Sequence, residues 1–137
     1  MKHSFLFFGL AALSASAFFG CHRKCSDPQP GCVGGTIVAF TCMDGPLINV
    51  DARYRIGAPG VLLTGRQVGN NVIAVVNRDG LGRLDSVGQR VYFTYANDPS
   101  QQASGMACLA ADGTRQPVPH LVLSNVSATG CQEPLAD

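Results

Sequence analysis

Six cysteines offer the most legible chemistry in this chain of 137 residues: Cys21, Cys25, Cys32, Cys42, Cys108 and Cys131. A cysteine sulfur can join another cysteine, ligate a metal, attack an electrophile or carry an acyl chain, and its neighbours and spacing separate these uses. No Cys-x-x-Cys occurs. Cys21-His22-x-x-Cys25 followed by Cys32 has metal-ligand types without the paired spacing of a zinc ribbon, so neither a metal nor a cofactor is expected. Disulfides are the default use of so many cysteines once a chain leaves the cytoplasm. Spacing alone leaves the connectivity open. The expectation adopted here joins the flanks, Cys32 with Cys131, and the interior pair, Cys42 with Cys108.

Acid–base and phosphate chemistry are thinly supplied. Two histidines follow the first twenty residues, His22 and His120, and no Gly-x-Ser-x-Gly accompanies them. His120 stands after Pro119 at the start of a predicted strand, where a surface imidazole is the ordinary reading. Asp44, Asp79 and Asp112 each precede a glycine, and that pairing marks turns in which the Asp side chain bonds its own backbone. Asn77-Arg78-Asp79-Gly80 is similar to the middle of a calcium loop, but Val75 fills the place of the first acidic ligand. Gly65-Arg66-Gln67-Val68-Gly69 lacks the Lys-Ser or Lys-Thr and the following helix of a phosphate cradle. No catalytic residue can be named, and the chain is read as not an enzyme. The group closest to a binding surface is Tyr54, Tyr92 and Tyr95 with Arg53, Arg55 and Arg90, because Tyr and Arg are favoured at contacts. Alternation along a strand sets Arg90 and Tyr92 on the face opposite Tyr95, so Arg90 and Tyr92 are the candidate binding residues.

These residues reach an oxidising space only if the chain is exported, and its opening has that layout. Lys2 and His3 precede an apolar run from Phe5 to Phe19. Those fifteen residues would span about 22 Å as a helix, short of the roughly 30 Å hydrocarbon core, so residues 1–20 read as a signal peptide rather than a membrane span. Two processing sites compete. Ala15-Ser16-Ala17 suits ordinary signal cleavage, whereas Phe18-Phe19-Gly20-Cys21 resembles the lipobox of bacterial lipoproteins, with Phe18 and Phe19 where Leu and a small residue are usual. The resemblance implies acylation of Cys21, residues 21–31 as lipidated N-terminus and flexible tether, and a membrane as partner through that anchor. The location it implies is the cell envelope, facing periplasm or exterior; ordinary cleavage implies a soluble periplasmic or secreted product. Cysteine parity separates the two outcomes. Ordinary cleavage leaves an even set, while lipidation of Cys21 strands one thiol, most simply Cys25 in the polar stretch from His22 to Pro30.

Charge narrows the partners further. One of the ten basic residues, Lys2, lies in the signal and all nine acidic residues lie beyond it, so the mature chain is balanced and no nucleic acid is expected. Residues 32–137 suit a single domain. Short Val- and Ile-rich runs alternate with Gly, Asn, Asp and Pro, which predicts strands from Gly35 to Cys42, Leu47 to Ala52, Asn71 to Asn77, Gln89 to Ala96 and His120 to Val126. Val61 to Leu63 is a possible sixth, and Leu81 to Val87 offers one or two helical turns among glycines. The strand from Gln89 alternates most clearly, with Val91, Phe93 and Tyr95 on one face.

The expected fold is all-β, a small antiparallel barrel of five to six strands stapled by disulfides, with a β-sandwich as runner-up. Five strands with a helical turn between the third and fourth resemble the OB-fold, a small Greek-key barrel. The functional expectation is a non-catalytic binding or structural domain of the envelope, meeting an envelope protein, a sugar or a small ligand through a strand face or the loop 97–107. The alternatives are a small secreted enzyme with an unrecognised site and a disulfide-stapled inhibitor.

Overall fold

The structure, a computed structural model, describes residues 31–97, Cys108 and 111–131. The signal, Cys21, Cys25, nearly all of the tether and residues 98–107 of the 97–107 loop lie outside the described residues. Six strands follow in order: β1 Val33–Thr41, β2 Gly45–Val50, β3 Ala58–Val61, β4 Gln67–Val75, β5 Arg90–Ala96 and β6 His120–Ser127. A 3₁₀ turn, Arg78–Leu84, separates β4 from β5. The β1–β2 hairpin turns where the sequence predicts, with Gly45 at φ 74° supplying the left-handed residue that a side chain would resist.

The strands lie side by side as β2-β1-β5-β6-β4-β3, and a further pairing of β2 with β4 closes the ring. Five strands therefore form a barrel, and β3 extends it beyond β4. Closure excludes the sandwich. The 3₁₀ turn falls between the third and fourth barrel strands, the element order of the OB-like barrel. The all-antiparallel expectation is corrected at one place: β4 and β6 run parallel, with Ala74 opposite His120 and Val75 opposite Leu121. Strand direction cannot alternate around a closed ring with an odd number of members, so at least one neighbouring pair must be parallel.

Alternation fills the barrel. Ile37, Ile48, Ile73, Val91, Phe93 and Leu121 point inward and are buried, and Leu81 from the 3₁₀ turn packs against the same cluster. Each fully buried side chain of this size stabilises the fold by roughly 1.5–3 kcal/mol. Two bulges change the phase. In β1 the register slips between Ile37 and Ala39, so Ile37 stays inside opposite Ile48 while Ala39 joins Leu47 on the outside. In β6 the pairing runs from Thr94↔Ser124 to Tyr92↔Ser127, and Asn125 takes φ 51°. That extra residue turns Val126 to the core, whereas plain alternation would leave it on the outer face with Val122 and Ser124.

Side chains finish what the ladder leaves open. Beyond the short β4–β6 pairing, Asn77 donates from Nδ2 to Leu123 O and accepts from Leu123 N at Oδ1, both at 2.8 Å, as a backbone group would. Both expected disulfides are present, Cys32–Cys131 and Cys42–Cys108, with Cα separations of 5.3 and 5.7 Å. They close loops of 99 and 66 residues. In the chain-entropy model, loops of such length each stabilise by about 4–5 kcal/mol before strain.

Candidate functional site

The predicted binding residues sit on the outer face of β1 and β5, opposite the core, as alternation requires. Arg90 and Tyr92 point outward there, while Tyr95 packs against the core. Arg90 is already engaged. Its Nη1 and Nη2 donate to Asp51 Oδ1 and Oδ2 at 2.7 and 2.6 Å, a two-point pair between β5 and the residue just after β2. The pair rests on β1 at Gly34, the cross-strand partner of Tyr92. A Cβ at that position would lie 2.5 Å from Arg90 Nη2 and 3.2 Å from the Tyr92 ring, so glycine leaves the space that the cluster fills. Arg90 also lies over the Tyr92 ring, 5.1 Å from its centroid.

Asp51 organises more than Arg90. Arg53 Nη2 approaches Asp51 Oδ2 at 3.9 Å, and its guanidinium stacks on Tyr54 at 4.7 Å. The hydrogen bonds from Arg90 hold the Asp51 carboxyl below the usual carboxylate range, ahead of the opposing effect of burial, and the same pairing raises Arg90. The loop that carries Arg53 is pinned from beneath. Asn71 donates to the carbonyls of Val50, Asp51 and Tyr54 and accepts from Gly57 N at 2.7 Å. Tyr54 packs against the core, and its hydroxyl donates to Cys32 O at 2.9 Å. Tyr54 therefore points inward between the exposed Arg53 and Arg55.

A second cluster lies where β1 turns into β2. Asp44, read from the sequence as a turn residue satisfied locally, reaches seventy positions along the chain: Oδ2 accepts from Thr114 N at 2.7 Å. Its Oδ1 faces His120 Nε2 at 3.6 Å, while Thr41 Oγ1 accepts from the Asp44 amide at 3.0 Å. Asp112 Oδ2 accepts from Cys42 N, and Asp112 O from Met43 N. Leu63 N donates to Gly113 O and Arg115 N to Val61 O. Residues 111–118 thus form a strap between the β1–β2 hairpin and the turn after β3, with Cys42–Cys108 beside it. Under the strap lies a second apolar cluster, in which Leu62 and Val118 cover Ala39, Leu47, Val72 and Ala74 on the outside of the barrel.

The strap decides what this barrel can offer. OB-type barrels bind oligonucleotides and oligosaccharides on the face of their second and third strands, flanked by the first and last hairpin loops. Here those strands are β2 and β4, and their outer face is covered by β3 and the strap. The outer face of β1, β5 and β6 is the polar one, carrying Arg90, Tyr92 and Thr94, with Ser124 and Asn125 exposed on β6. Asp51 and Asp44 are the two organising residues that sequence reasoning missed. A carboxylate next to a strand end carries no signal of its partner, which topology supplies from far along the chain. Among the described residues no group of three or more His, Cys, Asp or Glu is placed to hold a metal ion, and no helix is long and apolar enough to cross a membrane. Compared with known proteins, the chain matches no family model and no curated protein.

Proposed function

We propose that this chain is a lipid-anchored protein of the cell envelope, a non-catalytic binding or structural domain held to a membrane through Cys21. The observation that carries the reading is the pair of disulfides, Cys32–Cys131 and Cys42–Cys108, which suit an oxidising compartment outside the cytoplasm. They also account for four of the six cysteines and leave Cys21 and Cys25. The polar face around Arg90 and Tyr92 supports contact with an envelope protein or a sugar, since the opposite face is filled by the chain itself. Asp51 sets the orientation of Arg90 there, so the surface offers a fixed guanidinium edge rather than a mobile charge.

The leftover cysteines supply the test. Intact mass and thiol counting on protein from the membrane fraction should find an acylated Cys21 and one free thiol, Cys25. Protein beginning at Phe18 with no acyl chain and no free thiol overturns the anchor and leaves a soluble exported domain.

A further inference from the structure

Cys32 stands at the start of β1 and Cys42 just past its end, so the two disulfides mark opposite ends of the barrel. The chain enters at the Cys32 end. Tyr54 bonds Cys32 O there, which brings the loop bearing Arg53 and Arg55 beside the point where the tether arrives. Only eleven residue steps separate Cys32 from Cys21, a reach of at most about 40 Å. A lipid on Cys21 therefore confines this end of the barrel near the bilayer surface.

The chemistry of that end suits anionic headgroups. Tyr54 turns inward, Arg53 is 67% exposed at its side chain, and Arg55 is exposed beside it. Asp51 offsets them only in part, because its two oxygens accept from Arg90 and Arg53 approaches one of them at the longer 3.9 Å. Among the described residues this end carries Arg53, Arg55 and Arg90 against the single carboxylate of Asp51. The strap end has no such excess, since Arg66 and Arg115 are matched by Asp44 and Asp112.

We propose that the Arg53-Tyr54-Arg55 loop is a lipid-headgroup contact that orients the anchored barrel, with the two arginines on the phosphates of an anionic bilayer. This inference rests on the Cys21 anchor. Juxtamembrane arginines are each worth about fivefold in contact with an anionic surface, and the effect decays within roughly a Debye length. Held by a short tether, the loop needs no more than that, because the anchor already supplies the high local concentration.

The chain contains no tryptophan, so a single one reports its own surroundings. Full-length lipidated protein carrying Ala52→Trp, or Leu63→Trp at the strap end, is placed in phosphatidylglycerol or phosphatidylcholine vesicles that contain headgroup spin-labelled lipid. The expected result is stronger quenching at position 52 than at 63 in phosphatidylglycerol alone. Arg53→Gln with Arg55→Gln, or high salt, should remove the excess, a loss on the order of 25-fold in the contact equilibrium. Equal quenching at both positions, or an excess that survives the double substitution, overturns the inference while the anchor stands. Failure to float with either vesicle overturns the anchor and the inference together.

Discussion

The two outer faces of the barrel follow the same alternation and end in opposite states. On β1 and β5, the residues pointing away from the core are Gly34, Arg90, Tyr92 and Thr94; Gly34 is buried under the Asp51–Arg90 pair, and the other three stay half-exposed. On β2 and β4, the corresponding residues are Leu47, Val72 and Ala74, each fully buried. A barrel needs only one apolar face per strand, and the second one on β4 obliges the chain to supply a cover. The strap and β3 are that cover. Among the described residues the polar face thereby stays at the surface, and the closed face works as a second core.

The comparison is broken most severely by cutting into the closed face. Leu47→Ala should cost about 2–5 kcal/mol, whereas Thr94→Ala on the open face should cost under about 1 kcal/mol, both read from urea midpoints. Similar costs at the two positions would show that the strap packs no true core. The next largest effect is expected at the disulfide beside the strap. Replacing Cys42 and Cys108 together by Ser should cost about 2–4 kcal/mol and speed amide exchange at Thr114 and Arg115, leaving the loop held by Asn71 protected. Unchanged exchange at those two amides would assign the hold on the strap to its hydrogen bonds and apolar packing without the disulfide.

The smallest effect belongs to the open face and concerns pH. The folded Asp51 carboxyl is held below its ordinary value, so the stability it contributes is complete above about 3.9 and is lost as pH falls through the lowered folded value. Because the pair is partly exposed, the contribution should be about 0.2–1 kcal/mol. Asp51→Asn should remove that portion of the acid-side decline and little else, as followed by urea midpoints from about pH 6 down to about pH 2. An unaltered acid limb in the variant would mean that Asp51 positions Arg90 without contributing to stability.

Much of the barrel was legible because strand signals are local. The stretch predicted from Gln89 to Ala96 is β5, Arg90–Ala96, with Val91 and Phe93 inside and Arg90 and Tyr92 outside as alternation requires. His120 to Val126 is likewise β6 to within a residue, yet Val126 faces the core because the bulge at Asn125 adds a residue that no period-two pattern announces. The short run at Val61 to Leu63 marks a real element slightly late: β3 is Ala58–Val61, an edge strand in which Pro59 is tolerated. The helical turn comes early, at Arg78–Leu84, and Leu81 is its buried residue. At the candidate site Arg90 and Tyr92 were visible by alternation, whereas Asp51 was not, since it lies 39 positions from Arg90.

By itself the sequence determined most of the strands, their inward faces and the turn at Asp44-Gly45, because each depends on residues within a few positions of one another. Tertiary structure decided the rest: the parallel closure of β4 on β6, the strap over β2 and β4, and the union of Asp51 with Arg90 across Gly34. These depend on which strands become neighbours around a closed ring, and that choice is made by the packing of the whole barrel rather than by any one segment.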